Sequence, residues 1–111
     1  MDRPSRRARA GGVALIKELV AAQRYLLSEK AYTLHSQGYF ELEDFEHSIE
    51  HGKLVKTEGD ECRDSIGNKK YTIVGPDTSG CPFYSVGKTQ KLDRSRTYFV
   101  ITAHESEANY D

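Results

Sequence analysis

The sequence predicts an α+β domain in which about three N-terminal helices pack on a mainly antiparallel sheet of four to five strands. Three observations carry that expectation: apolar residues recur at helical spacing between positions 13 and 51, the spacing changes to two after Gly52, and turn-forming residues separate the later runs. The chain has 111 residues, of which 37% are hydrophobic and 30% charged, enough for one core and too few for a second.

Residues 1–12, with Arg3, Arg6, Arg7, Arg9 and the pair Gly11-Gly12, offer no apolar face and are expected to be a mobile basic arm. Residues 13–105 form the single domain, and residues 106–111 are expected to be a disordered acidic tail. Val13, Ile16, Leu19 and Val20 lie on one helical face, with Lys17 and Glu18 on the wet side, so a first helix should end near Gln23. Tyr25-Leu26-Leu27 reads as a short extended piece. It leads to Ser28, an N-cap with Glu29 in the first turn, and a second helix should continue to Gly38 with Ala31 and Leu34 inward. Glu41, Glu43 and Asp44 open a third helix, Leu42, Phe45 and Ile49 form its buried stripe, and His47 and His51 precede the terminating Gly52.

Segments 53–58, 69–74, 81–87 and 96–104 are short, rich in β-branched and aromatic residues, and predicted to be strands. Residues 75–80 carry the Gly, Pro, Asp and Ser of a hairpin link, and 59–68 and 88–95 read as polar loops. The last strand is apolar on both faces, with Phe99, Ile101 and Ala103 on one and Tyr98 and Val100 on the other, which places it inside the sheet. A shallow concavity is expected on the face away from the helices, near Tyr71, Tyr84 and Tyr98.

Sixteen basic and seventeen acidic residues give a net charge of −1, which excludes a generic nucleic-acid coat. The distribution is uneven. Residues 41–64 hold nine acids against Lys53, Lys56 and Arg63, whereas residues 65–98 hold Lys69, Lys70, Lys88, Lys91, Arg94 and Arg96 against Asp77 and Asp93. A basic sheet half beside an acidic helix permits a local anion site. No run of 18 apolar residues and no signal-peptide order is present, so no membrane association and a cytoplasmic location are expected. Cys62 and Cys81 form no Cys-x-x-Cys pair and read as free thiols.

His47-Ser48-Ile49-Glu50-His51 has the order of an inverted zinc-protease motif, but the chain has no room for the third ligand's helix or for a cleft between large lobes. The histidines fit the end of a helix, and no metal or cofactor is expected. Gly87-Lys88-Thr89 lacks the glycine spacing and following helix of a phosphate-binding loop. No serine elbow and no thiol-enzyme signature occur. What remains is a scatter of Lys, Arg, Tyr and His suited to metal-free RNA cleavage, for which Lys56, Tyr98 and His104 are of suitable type.

Several stretches carry a family resemblance: Ala14-Leu15-Ile16-Lys17-Glu18-Leu19-Val20, Arg24-Tyr25-Leu26-Leu27-Ser28 with Ala31, Glu43-Asp44-Phe45-Glu46 through Ile49-Glu50-His51-Gly52-Lys53, Lys70-Tyr71-Thr72-Ile73-Val74-Gly75, and Tyr98-Phe99-Val100-Ile101-Thr102. Over roughly residues 14–105 the chain resembles a bacterial family of small domains of unknown function, number 4258, and through it the MqsR and RelE ribonuclease toxins. The resemblance implies a toxin-like fold and metal-independent RNA cleavage neutralised by an antitoxin, often of the YgiT-like zinc-finger kind. Two family positions, a histidine in the second helix and an arginine at its end, read Lys30 and Gln37 here.

The leading expectation is therefore a toxin-like endoribonuclease with Lys56 and Lys30 as phosphate-binding cations, His104 or Tyr98 as the proton-transfer group, and Lys69, Lys70, Lys88, Arg94 and Arg96 as RNA contacts. The alternative is a non-catalytic protein-binding module that keeps the fold. A third reading is a DNA-binding accessory protein that uses the basic arm.

Overall fold

The computed structural model of the chain describes residues 12–59, 69–92 and 94–105. The arm up to residue 11, most of the 59–68 link, Cys62 and the 106–111 tail lie outside the described residues. The elements run α1 (Val13–Ala21), β1 (Tyr25–Leu27), α2 (Glu29–Ser36), α3 (Leu42–His51), β2 (Lys53–Gly59), β3 (Lys69–Pro76), β4 (Pro82–Leu92) and β5 (Ser95–Glu105). The five strands form one sheet in the order β1-β5-β4-β3-β2. Neighbours are antiparallel except β1, which runs parallel to β5. The expected α+β architecture is present.

Leu15, Ile16, Leu19 and Val20 of α1, Ala31 of α2 and Phe45 and Ile49 of α3 share one buried cluster with Ile73, Phe83, Tyr98, Val100 and Ala103 of the sheet. The three helices of the described residues therefore cover one face. Helix α1 stops at Ala21, short of the expected end, because Gln23 turns left-handed (φ 61°) and the Arg24 N–H returns to the Leu19 carbonyl at 2.7 Å. Lys17 is not on a wet face. Its ammonium donates to the carbonyls of Ile49, Glu50 and Gly52 at 2.7, 2.9 and 3.0 Å, closing the C-terminus of α3 where the helix dipole favours a cation.

Ser28 caps α2 as expected. Its hydroxyl accepts the Ala31 N–H at 3.0 Å and donates to the Ile101 carbonyl at 2.7 Å, which ties the helix start to β5. Helix α3 ends at Gly52 and lies backbone to backbone on β3. A Cβ on Gly75 would strike the Ser48 carbonyl and the Gly52 Cα.

Two corrections concern the sheet. Residues 88–95 are a ladder rather than a loop: Lys88 to Leu92 pair with Phe99 to Ser95 around a turn that contains left-handed Arg94 (φ 69°). Second, the register of β5 shifts between Val100 and Thr102, leaving Ile101 as the extra residue of a bulge. Strict alternation therefore fails, and Tyr98, Val100 and Ala103 all face the helices. The Tyr98 ring, expected near the concavity, is completely buried, and Tyr71 packs against the same core.

Candidate functional site

The face away from the helices follows from the register. Ile73 and Phe83 point into the core, so their strand neighbours point outward. One row across the sheet reads Lys56, Thr72, Val86, Thr102, and the adjacent row reads Lys53, Val74, Tyr84, His104. Lys70, opposite Glu58, and Lys88 belong to the same face. A second bulge places Val55 as the extra residue of β2, and the two bulged strands bend on either side of β3 and β4.

Lys56, Glu58, Val55, Thr72 and Tyr84 line a hollow of about 250 Å³ on this face. The Lys56 ammonium stands 3.3 Å from the Glu58 carboxylate, with both side chains well exposed, so the pair competes weakly with an incoming anion. Tyr84 stacks on His104 with ring centroids 4.9 Å apart and planes 29° from parallel. His104 Nδ1 lies 2.9 Å from the Glu105 carbonyl. A carbonyl can only accept, so Nδ1 carries the proton and Nε2 of the neutral ring keeps its lone pair for general-base work. The Thr102 hydroxyl, on the same face, is buried without a hydrogen-bond partner, and Lys88 is 7% exposed.

Of the four expected catalytic residues, Lys56 and His104 share this face. Lys30 is exposed on α2, in the helix layer on the other side of the sheet. Tyr98 is withdrawn from the set, because a fully buried phenol cannot exchange a proton with a bound substrate; its ring lies against Gly87, where a Cβ would strike it, and burial holds its pKa above the ordinary range. Among the expected RNA contacts, Lys70 lies on the open face, whereas Lys88, on the same side of β4, is buried and out of reach of an RNA phosphate. Lys69 alternates with Lys70 and takes the opposite side of β3, Arg94 sits at the β4–β5 turn, and Arg96 lines a separate hollow of about 270 Å³ with Gln23, Arg24 and Leu26. Tyr84 lies on the open face where the concavity was expected, though it had no expected chemical role, and Thr72 was not among the expected site residues. Their alternation with Ile73 and Phe83 is legible in the chain, but their proximity to Lys56 and His104 requires the register.

Beside His104 the strand ends at a carboxyl pair. The Asp77 carboxylate accepts the N–H groups of Ser79 and Cys81 at 2.8 and 2.9 Å. A hydrogen bond with Glu105, and then these backbone donors, hold Asp77 below the usual carboxylate range despite its burial. Desolvation, the hydrogen bond with Asp77 and the charges of Asp77 and Asp44 push Glu105 up to about 7. Below about pH 7 the proton is favoured on Glu105, while Asp77 stays ionised.

His47 and His51 face each other with ring centroids 4.4 Å apart, and His47 Nδ1 meets the Pro76 carbonyl at 2.8 Å. No three metal-ligating side chains converge among the described residues. No helix among them is long and apolar enough to cross a membrane. Fold and face together define a small α+β domain with a lysine-bearing, aromatic sheet surface opposite an acidic helix layer. No known protein family, curated protein or solved structure matches the chain.

Proposed function

We propose that the open sheet face binds single-stranded RNA and cleaves it without a metal, as a toxin-like endoribonuclease held in check by an antitoxin protein. One observation carries this reading: Tyr84 lines the Lys56 hollow and stacks on His104, so a cation, an aromatic face and a proton acceptor adjoin one another. In the reaction, His104 Nε2 takes the proton of a 2′-hydroxyl as that oxygen attacks the adjacent phosphorus. The Lys56 ammonium offsets the charge gathering on the phosphoryl oxygens, and the departing 5′-oxygen takes a proton from water. The products are a 2′,3′-cyclic phosphate end and a free 5′-hydroxyl.

The test is incubation of the purified chain with labelled single-stranded RNA in the presence of EDTA, with the ends of the products identified. Lys56→Ala and His104→Ala should each lower the cleavage rate about 100-fold or more, whereas Lys30→Ala, altered on the helix layer, should leave it unchanged. Induction of the wild-type gene in bacteria should arrest growth, and Lys56→Ala should relieve the arrest. Binding without cleavage by the wild-type chain would move the assignment to the second reading, a non-catalytic binding module. That reading is favoured by the separation of Lys30 and the burial of Tyr98, which leave two of the four expected catalytic groups outside the site.

A further inference from the structure

The sheet has two edges, and they differ in how they are protected. On β2 the edge carries Lys53, Lys56 and a bulge at Val55, devices that discourage a further strand. On β1 none of these is present. Parallel pairing uses alternate residues of the strand: the Tyr98 N–H donates to the Arg24 carbonyl at 3.1 Å and the Ser28 N–H to the Val100 carbonyl at 2.8 Å. With Leu26 between them opposite Phe99, the N–H and C=O groups of Tyr25 and Leu27 turn to the open side.

Next to that edge lies a hollow of about 710 Å³, lined by β1 together with Tyr32 of α2, Leu42 and Glu46 of α3, and Glu29. Leu26 is 50% and Tyr32 62% exposed, an apolar surface beside backbone groups with no partner among the described residues. Glu46 is fixed by the Tyr25 hydroxyl, which donates to it at 2.5 Å. The lining residues include Glu29 and Glu46 and no Lys or Arg.

We propose that β1 and this hollow dock an extended peptide segment of a partner protein, one that carries Lys or Arg two residues from an apolar side chain, on the same face of the strand, and adds as a sixth strand. The outward groups of Tyr25 and Leu27 supply its main-chain hydrogen bonds, the hollow receives an apolar side chain, and Glu29 and Glu46 select cationic neighbours. Three residues of strand make only a short ladder, so the apolar hollow must contribute much of the affinity. A second copy of the chain is a poor occupant, because its own Glu29 and Glu46 would meet their equivalents across the joint. The inference is independent of what the open sheet face does to RNA.

Selection of a phage-displayed library of random twelve-residue peptides on the full chain tests this directly. The selected peptides should carry Lys or Arg two residues from an apolar residue, and the best synthetic one should lose at least tenfold in affinity when its alternate backbone nitrogens are methylated on the edge facing β1. Methylation on the other edge should have no effect. Leu27→Pro, which removes an outward N–H, and Glu29→Lys should each weaken the same peptide about tenfold while RNA binding stays at the wild-type level. Failure to select any peptide, selection of acidic ones, affinity indifferent to methylation on either edge, or a chain that dimerises through β1 would each overturn the proposal.

Discussion

Lys17 joins two helices by a single charge. Its three carbonyl contacts satisfy backbone groups at the end of α3 that have no partner within the helix. Burial lowers its pKa, partly opposed by the carboxylate of Glu50, but the ammonium form is the one these carbonyls require. Lys17→Met keeps the aliphatic stem and removes the donor, and should cost roughly 1.5–3 kcal/mol, the range for hydrogen bonds to charged groups. A chemical-denaturation curve checks it; a loss under about 0.5 kcal/mol would mean that water replaces the ammonium without penalty. At Glu105 the expected effect depends on pH. Its folded pKa of about 7 lies above the ordinary 4.5, so the protonated form is favoured by folding and this stabilisation is complete below the unfolded value. It is lost as pH rises through about 7. Asp77 has the opposite sign, since its depressed pKa adds stability that disappears in acid. Glu105→Gln should therefore gain on the wild type between pH 5 and pH 8 when urea midpoints are compared, and a wild type that gains on the variant over that interval would refute a proton held on Glu105.

The helices and the sheet differ in how legible they were, for a reason that lies in the elements themselves. Helix ends are decided locally: Ser28 caps α2 with its own hydroxyl, Glu43 and Asp44 occupy the first turn of α3, and Gly52 ends it. The strands depend on distant partners. Lys88, Thr89, Gln90 and Lys91 look like a loop because they are polar, yet pairing with β5 makes them strand. The bulge at Ile101 reverses the faces on either side of it, so reading alternation along residues 97–103 set Tyr98 apart from Ala103 when both face the helices. The candidate site inherits this difficulty: Lys56 and His104 were recognisable as chemical types, whereas the Tyr84 stack between them depends on the pairing of β3, β4 and β5. The crossing of α3 over β3 is likewise set by one close approach, at Gly75 and Gly52. Because the atoms in the way are backbone and cannot rotate aside, Gly75→Ala should cost about 3 kcal/mol. Gly80→Ala is the control. Gly80 has φ +89° with nothing within 4 Å of an added Cβ, so that change carries only the left-handed penalty of about 1–2 kcal/mol, and equal losses at the two sites would show that crowding at the crossing is not what matters.

At the scale of the whole molecule, the near-zero net charge conceals a division between layers. Glu43, Asp44, Glu46 and Glu50 belong to α3, while Lys53, Lys56 and Lys70 lie on the open face of the sheet with Glu58 as the acid paired to Lys56. An RNA strand approaching the helices meets repulsion, and one approaching the open face meets cations and the Tyr84–His104 stack. If Lys53, Lys56 and Lys70 are the phosphate contacts, about three counterions leave the RNA, and the plot of log affinity against log salt should have a slope near −2 at about 0.7 per contact on a single strand. Raising salt tenfold should then weaken binding about 100-fold. Lys56→Ala should bring the slope to about −1.4, Lys30→Ala should leave it alone, and Tyr84→Leu should lower affinity at every salt concentration without changing it, because base stacking on an aromatic face releases no ions. Fluorescence anisotropy with a 2′-O-methyl oligonucleotide, which lacks the attacking hydroxyl and therefore cannot be cleaved by this route, measures all four proteins under one set of conditions. A slope that Lys30→Ala reduces and Lys56→Ala does not would put the RNA on the helix layer, and the sheet face would then lose its assigned function.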